Sequence, residues 1–199
     1  MIELDPATHF KLFTLENFLD QRMCREIVAE MMAVAGDPAT VYGRDSSGSI
    51  DEGIRRAMRN TPSSATVEMV NYKLDECRRA VEEHFGVSLG ACEEPQFLRY
   101  RVGDFFVAHQ DGNTGLMRMD TEARRVSVVI FLNEQSDLPQ EDTYCGGSLL
   151  FHDWRGGQSS MALPASRKLG TFVAFRSETT HEVTPVTHGE RYSIVSWYR

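Results

Sequence analysis

The chain has 199 residues and a mass of 22.5 kDa, which suits one domain with a single sizeable core. Its net charge of −8 opposes broad contact with phosphate backbones, so no nucleic-acid partner is expected. The opening MIELDPATHF lacks the pattern of a secretory signal, and no apolar run approaches membrane-spanning length. We therefore expect no membrane contact and a cytoplasmic location.

A first helix is predicted near the start of the chain. Residues 18–34 place apolar side chains at near-helical spacing, after a cap at Asp20 or Asn17. The segment that follows, GDPATVYGRDSSGSIDEG at 36–53, is rich in Gly, Asp and Ser. It predicts either a mobile loop or a short hairpin.

A second helix is predicted over residues 62–85. Thr61 and Pro62 form a cap and first-turn pair, and Gly86 is a stop signal. The apolar positions recur at steps of three and four, which indicates one buried face. These positions are Val67, Val70, Leu74, Cys77, Val81 and Phe85.

From Pro95 onward the pattern changes to short segments rich in β-branched and aromatic residues. Helices first and strands later predict an α+β fold that is mainly β. Seven or more short strands separated by turn signals favour a sandwich or jelly roll. The strand segments are QFLRYRV, FFVAH, RVSVVIFL, GSLLF, SSMAL, GTFVAF and ERYSIVSWY. We expect one domain over 1–199, with a helical part at about 1–94 and a jelly-roll core at about 95–199.

The segment YRVGDFFVAHQDG contains a His-x-Asp pair, His109 and Asp111. Residues two apart on a strand point to the same side, so the two can converge on a metal ion. His181 follows the strand GTFVAF and is a candidate third ligand. Two His and one carboxylate leave coordination positions open, as in non-haem Fe(II) oxygenases rather than closed zinc sites. Surface or structural roles are expected for His9, His84, His152 and His188.

The last strand, RYSIVSWYR, puts Arg191, Ser193, Val195 and Trp197 on one face. An arginine in a core-facing row is costly unless an anion meets it, and a guanidinium suits a carboxylate. Ser193 can add a hydroxyl. The strand alone leaves two alternatives to a bound anion open: Arg191 pairs with an internal acidic residue, or it faces solvent.

The sequence resembles prolyl 4-hydroxylase-like Fe(II)/2-oxoglutarate dioxygenases. YRVGDFFVAHQD fits their Tyr-x-x-Gly-x-x-(Tyr/Phe)-x-x-His-x-Asp pattern, and HEVTPVTHGERYSIVSW resembles their His-x-Val-x-Pro-Val-x-x-Gly-x-Arg segment. RVSVVIFLN, GGSLLF and FTLENFLDQRMCREIV also resemble segments of the family, so the resemblance runs through most of the chain.

This resemblance implies a double-stranded β-helix whose N-terminal helices pack on the larger sheet. It implies Fe(II), 2-oxoglutarate and O2 as cofactors, with ascorbate as a further candidate. Because related halogenases lack the carboxylate ligand, Asp111 favours hydroxylation. By position, the family's roles fall on His109, Asp111 and His181 for the metal, and on Arg191, Tyr100 and, as a helper, Ser193 for 2-oxoglutarate.

The substrate is less well specified than the metal site. The motif's second aromatic position, which can contact substrate, is Phe106 rather than Tyr, and this weakens the case for peptidyl-proline. Arg55 partly matches a family arginine near the substrate. Candidate lids are the segments 36–53, 112–123 and 133–145, and for the last we prefer an ordinary surface loop.

The leading hypothesis is a 2-oxoglutarate-dependent hydroxylase that acts on an unactivated C–H bond of a prolyl or other amino-acid residue. The partner would be a peptide, a protein or an amino-acid-like small molecule, and the oligomeric state is unspecified. The alternatives are a small-molecule biosynthetic oxygenase with the same mechanism and a noncatalytic metal-binding jelly-roll module. A zinc hydrolase would give Arg191 no evident task.

Overall fold

The computed structural model describes residues 6–41, 48–112, 123–153, 159–162 and 168–199. Two predicted lids fall partly outside this set, at 42–47 and 113–122. The helices are α1 (Pro6–His9), α2 (Gln21–Ala33) and α3 (Ser64–Phe85). The strands are β1 (Phe13–Leu15), β2 (Asp37–Pro38), β3 (Arg55–Arg56), β4 (Met58–Arg59), β5 (Gln96–Tyr100), β6 (Phe105–His109), β7 (Val126–Phe131), β8 (Glu134–Gln135), β9 (Thr143–Gly146), β10 (Leu149–Asp153), β11 (Ser159–Ala162), β12 (Phe172–Arg176), β13 (His181–Val183), β14 (Val186–His188) and β15 (Arg191–Tyr198).

Both long helices begin at a side-chain cap. Asp20 accepts a hydrogen bond from the Met23 amide at 2.8 Å, so of the two predicted caps for α2 Asp20 is the correct one. The cap of α3 is Ser63, so the predicted start at Thr61 and Pro62 is wrong. Glu30 of α2 explains the shift, because its carboxylate accepts from the Ser63 amide at 2.9 Å and fixes the first turn of α3.

The strands form two sheets that face each other and a small third sheet. The larger sheet has seven strands in the order β1-β12-β7-β15-β5-β4-β2. The smaller has five, in the order β11-β10-β13-β6-β3, and the third has the order β14-β9-β8. Apart from the parallel pair β8 and β9, the pairings of the described strands are antiparallel.

The larger sheet is apolar on both faces because both are covered. In β7, Val128 and Ile130 pack with α2 and α3, whereas Val129 and Phe131 point into the space between the sheets. Phe151 of the smaller sheet joins that interior cluster. This alternation explains why RVSVVIFL has no polar face. It also confirms the predicted jelly roll with helices packed on the larger sheet.

The predicted strands are all present, but shorter elements were missed. The described part of the segment 36–53 contains an antiparallel bridge, in which the amides of Val41 and Ser49 donate to each other's carbonyls at 2.8 and 2.9 Å. This pairing is what the hairpin alternative predicts. The preferred view of 133–145 as an ordinary surface loop is wrong, because it contributes β8 and β9 to the third sheet. Within the described ranges no helix is long and apolar enough to cross a membrane.

Candidate active site

Two neighbouring strands of the smaller sheet bring the three predicted metal ligands together. His109 ends β6 and His181 begins β13, and the two are register partners in the antiparallel ladder. Asp111 follows β6, and its amide donates to the carbonyl of Ser177 at 2.9 Å. Gln110 adds a side-chain hydrogen bond to the Glu178 carbonyl at 2.7 Å. The segment before His181 therefore fixes the position of Asp111.

The three side chains are close enough to share one metal ion. Their candidate ligand atoms all lie within 4.8 Å of one another. His109 Nε2 is 3.4 Å from Asp111 Oδ1, and His181 Nε2 is 3.5 Å from Asp111 Oδ2. Both imidazoles and the carboxylate can therefore bind the same ion, and three protein ligands leave coordination positions for other ligands.

Backbone carbonyls orient both imidazoles. Nδ1 of His109 lies 2.8 Å from the Val107 carbonyl, and Nδ1 of His181 lies 2.9 Å from the Thr179 carbonyl. A carbonyl oxygen only accepts, so each Nδ1 carries the proton. Nε2 is then the free lone pair, and in both residues it is the nitrogen that faces Asp111.

The charge states of the buried ligands suit a cation. Burial opposes ionisation of Asp111, but His181 and His109 outweigh it and hold the pKa of this carboxyl below its usual range. Burial, followed by His109, lowers the pKa of His181 to about 4. At neutral pH the site therefore holds a carboxylate and a neutral His181, the forms that bind metal.

A cavity of about 240 Å³ joins this cluster to Arg191. Arg191 is 1% exposed, and its Nη1 donates to Ser193 Oγ at 2.9 Å. The guanidinium carbon lies 5.1 Å from the centre of the Tyr100 ring, and Tyr100 is its register partner in β5. Of the two alternatives for Arg191, exposure to solvent is wrong.

The other alternative for Arg191, an internal acidic partner, is not found either. Among the described residues no ion pair includes Arg191, and its Nε makes no hydrogen bond although it is buried. A buried guanidinium in this state is suited to an anionic ligand. The site therefore fits a dicarboxylate that reaches both the metal position and Arg191.

Arg55 and Phe106 also line the cavity, although their sequence signals were weak. They are register partners in β3 and β6, and the Arg55 guanidinium carbon lies 4.7 Å from the centre of the Phe106 ring. Phe106 stacks on His109 with 3.5 Å between ring centres. Arg55 is 7% exposed and donates to the Thr40 carbonyl, while its Nε makes no hydrogen bond with the described residues.

Tyr144 of β9 is a buried polar residue beside Arg191 that the sequence interpretation missed. A Cβ placed on Gly147 would lie 3.1 Å from Arg191 Cδ and 3.3 Å from Tyr144 Cδ2, so the two side chains flank the same glycine. The only sequence signal is a tyrosine just before Cys145-Gly146-Gly147.

Comparison with known proteins agrees with this geometry. Residues 95–199 match the family described as the 2OG-Fe(II) oxygenase superfamily. A PKHD-type hydroxylase of Paracoccus denitrificans is 32% identical over 175 residues, covering 86% of this chain and 72% of the relative. The chain belongs to the 2OG-Fe(II) oxygenase superfamily.

Further relatives show how much of this chain and of each relative is similar in sequence or in fold. A PKHD-type hydroxylase of Shewanella sp. is 37% identical over 108 residues, which are 52% of this chain but only 41% of that protein. A Pseudomonas putida prolyl-4-hydroxylase has a TM-score of 0.70 at 25% identity, covering 98% of this chain and 95% of the other. A prolyl hydroxylase from Trichoplax adhaerens shares the fold, with a TM-score of 0.69, 16% identity and coverage of 96% and 84%.

The predicted resemblance to prolyl 4-hydroxylase-like oxygenases is thus confirmed. So is the predicted enzyme class, a 2-oxoglutarate-dependent hydroxylase. Membership of the superfamily also implies Fe(II), 2-oxoglutarate and O2 as its cofactors.

Proposed function

We propose that this protein hydroxylates an unactivated C–H bond of a prolyl or other amino-acid residue in a peptide or protein. His109, Asp111 and His181 would hold Fe(II). Arg191, Tyr100 and Ser193 would hold the remote carboxylate of 2-oxoglutarate. The observation that supports this best is the buried, partly unpaired Arg191 in the same cavity as an open His-Asp-His cluster.

When bound, the iron would supply the chemistry by which O2 oxidises the C–H bond while 2-oxoglutarate becomes succinate and carbon dioxide. The protein's own task is to bind and orient. Arg191 fixes the cosubstrate by charge and hydrogen bonding, and the apolar walls at Leu149, Val183 and Val195 keep water from the reacting atoms.

The substrate side of the cavity supports a peptide. The Trichoplax neighbour is in complex with a peptide fragment. Here Ile54, an exposed apolar residue, and Arg55 line the cavity. Ile50 is also exposed and lies in sequence between two lining residues, Ser49 and Asp51. We propose that Arg55, with its buried unpaired Nε, binds a peptide carbonyl or carboxylate and that Phe106 supports it by packing on His109. Ascorbate is proposed only as a reductant that restores Fe(II).

The test is an anaerobic titration with Fe(II) and 2-oxoglutarate, followed through the visible charge-transfer absorption of the chelated cosubstrate. His109→Ala should abolish the band because one of three metal ligands is lost. Arg191→Ala should weaken 2-oxoglutarate binding on the order of 100-fold, since hydrogen bonds to charged groups contribute about 1.5–3 kcal/mol.

A matched control is His188→Ala, because His188 is an exposed histidine in β14. Its band should equal that of the unaltered protein. If correctly folded, metal-loaded protein forms no band, the proposed cosubstrate is wrong. A positive result leads to a screen of proline-containing peptides for succinate release and for the mass gain of one oxygen atom.

A further inference from the structure

The phenol of Tyr144 is buried, and no acceptor for its proton lies among the residues that the structure describes. Tyr144 is 0% exposed, and the polar side chain at its hydroxyl is the guanidinium of Arg191, which can only donate. A buried hydroxyl whose proton has no acceptor destabilises the fold. Most buried hydroxyl groups in proteins are hydrogen-bonded, so the unused proton of Tyr144 requires an explanation. A ligand that accepts this proton when it is bound provides one.

The guanidinium of Arg191 is the charge next to this hydroxyl. Both side chains pack against Gly147. Burial raises the pKa of Tyr144, and the charge of Arg191 together with its hydrogen bond to the phenol oxygen offsets this only in part. The phenol is therefore protonated at neutral pH and has a proton to donate. A guanidinium has only donors, so that proton needs another acceptor.

The same place contains a second unused donor. Arg191 Nε is buried and makes no hydrogen bond within the described ranges, while Nη1 already donates to Ser193. A carboxylate offers two oxygens with about four lone-pair sites. One carboxylate bound to Arg191 can therefore satisfy both unused donors, which a water or a neutral carbonyl would do less well.

We propose that Tyr144 donates a hydrogen bond to the carboxylate that Arg191 binds, and that the two residues together select a 2-oxo acid with a second carboxylate. This inference rests on the proposed function and adds to it Tyr144 of β9, which none of the family motifs in the sequence analysis contains. Tyr144 is a binding residue at the end of the cosubstrate remote from the metal.

The experiment compares two ligands that differ only in the carboxylate. 2-Oxoglutarate and 2-oxopentanoate have the same chain length, but the latter has no second carboxylate. Their Kd values are measured by calorimetry with Mn(II) in place of Fe(II), so that no turnover occurs. The proteins are the unaltered chain, Tyr144→Phe, Arg191→Lys and Tyr198→Phe.

Tyr144→Phe keeps the ring that fills the core and removes only the hydroxyl. It should weaken 2-oxoglutarate binding about tenfold, as expected for one charge-assisted hydrogen bond, and leave 2-oxopentanoate unchanged. Tyr198→Phe is the matched control, because its buried hydroxyl donates to the Leu74 carbonyl on the helix side of the sheet. It should lower Tm without changing either Kd.

Two results would overturn the role of Tyr144 alone. One is a 2-oxoglutarate Kd for Tyr144→Phe equal to that of the unaltered protein, while Arg191→Lys still weakens binding. The other is an equal loss for both ligands, which would indicate general loosening. If the unaltered protein binds 2-oxoglutarate no more tightly than 2-oxopentanoate, the proposed function falls as well.

Discussion

At Gly147 the backbone comes so close to Arg191 that a larger residue cannot be added without displacement. Its φ is +57°, a conformation that costs other residues about 1–2 kcal/mol. A Cβ there would also lie 3.0 Å from Val186 Cγ2 and 3.1 Å from Arg191 Cδ. The Gly-Gly pair before β10 thus allows both the turn and the position of the guanidinium.

We expect Gly147→Ala to weaken 2-oxoglutarate binding several-fold and to lower Tm. The added methyl group pushes on Arg191, whereas the backbone strain acts on stability. Gly86→Ala separates the two effects, because Gly86 has a φ of +65° but no atom within 4 Å of the place that an added methyl group would take. It should lower Tm and leave the Kd unchanged. Equal affinities for Gly147→Ala and the unaltered protein would contradict the role given to Gly147.

The roles of single residues can be predicted from the sequence where they depend on local spacing. His109 and Asp111 are two apart at the end of a strand, so their convergence could be predicted from spacing. The strand pattern of Arg191 left its partner open, and only the family resemblance predicted a carboxylate ligand. Tyr144 could not be assigned a role from either. Its relation to Arg191 depends on how β9 pairs with β14 and β8, and no local pattern encodes that pairing.

Among the secondary-structure elements, β15 and β5 are joined by the side chain of Glu190, the residue just before the buried Arg191. Its carboxylate accepts from Arg99 Nε of β5 at 3.0 Å and from the Tyr192 hydroxyl at 2.6 Å. Burial alone would raise the pKa of Glu190, but these hydrogen bonds and the charge of Arg99 outweigh it and lower the pKa below its ordinary 4.5. The ionised form is therefore stabilised by folding.

Glu190→Gln should reduce the free energy of unfolding at pH 7 by about 1 kcal/mol, a modest value because the pair is partly exposed. A depressed pKa contributes stability that is complete above 4.5 and is lost as the pH falls through the folded-state value. The difference between the two proteins should therefore shrink below pH 4.5. Urea unfolding at several pH values checks this, and a difference that grows on acidification would refute it.

The elements that the sequence did not predict are short ones. β8, β9, β13 and β14 have two to four residues each, too few for an alternating pattern to be read. The longer strands and the two long helices, α2 and α3, were predicted, because five or more residues of alternation or several helical turns repeat the signal. The start of α3 was misplaced because Glu30, distant in sequence, decides it.

For the whole molecule, the metal site joins two strands of the smaller sheet to the segment after β6. An ion that binds only the folded chain stabilises it by about 2.7 kcal/mol at a hundredfold excess over its Kd. Mn(II) should therefore raise the Tm of the unaltered protein by several degrees, and EDTA should reverse the shift. Asp111→Ala should show no shift. An equal shift in both proteins would mean that the ion binds elsewhere.

The overall architecture could be predicted because helical patterns occupy the first half of the sequence and strand patterns the second half. Helices that precede an antiparallel sheet can cover one of its faces. The apolar runs of β7 and β12 were consistent with burial on two faces but did not say what covers each. That depends on the packing of α2 and α3, which involves residues far apart in the chain.

The backbone carbonyls that hold both imidazoles have a consequence for how this site changes over evolutionary time. Val107 and Thr179 contribute only their main-chain oxygen, and every amino acid supplies that oxygen. Substitution of either side chain leaves the tautomer of the neighbouring histidine in place. Substitutions at positions 107 and 179 can therefore accumulate without changing which imidazole nitrogen faces the metal position.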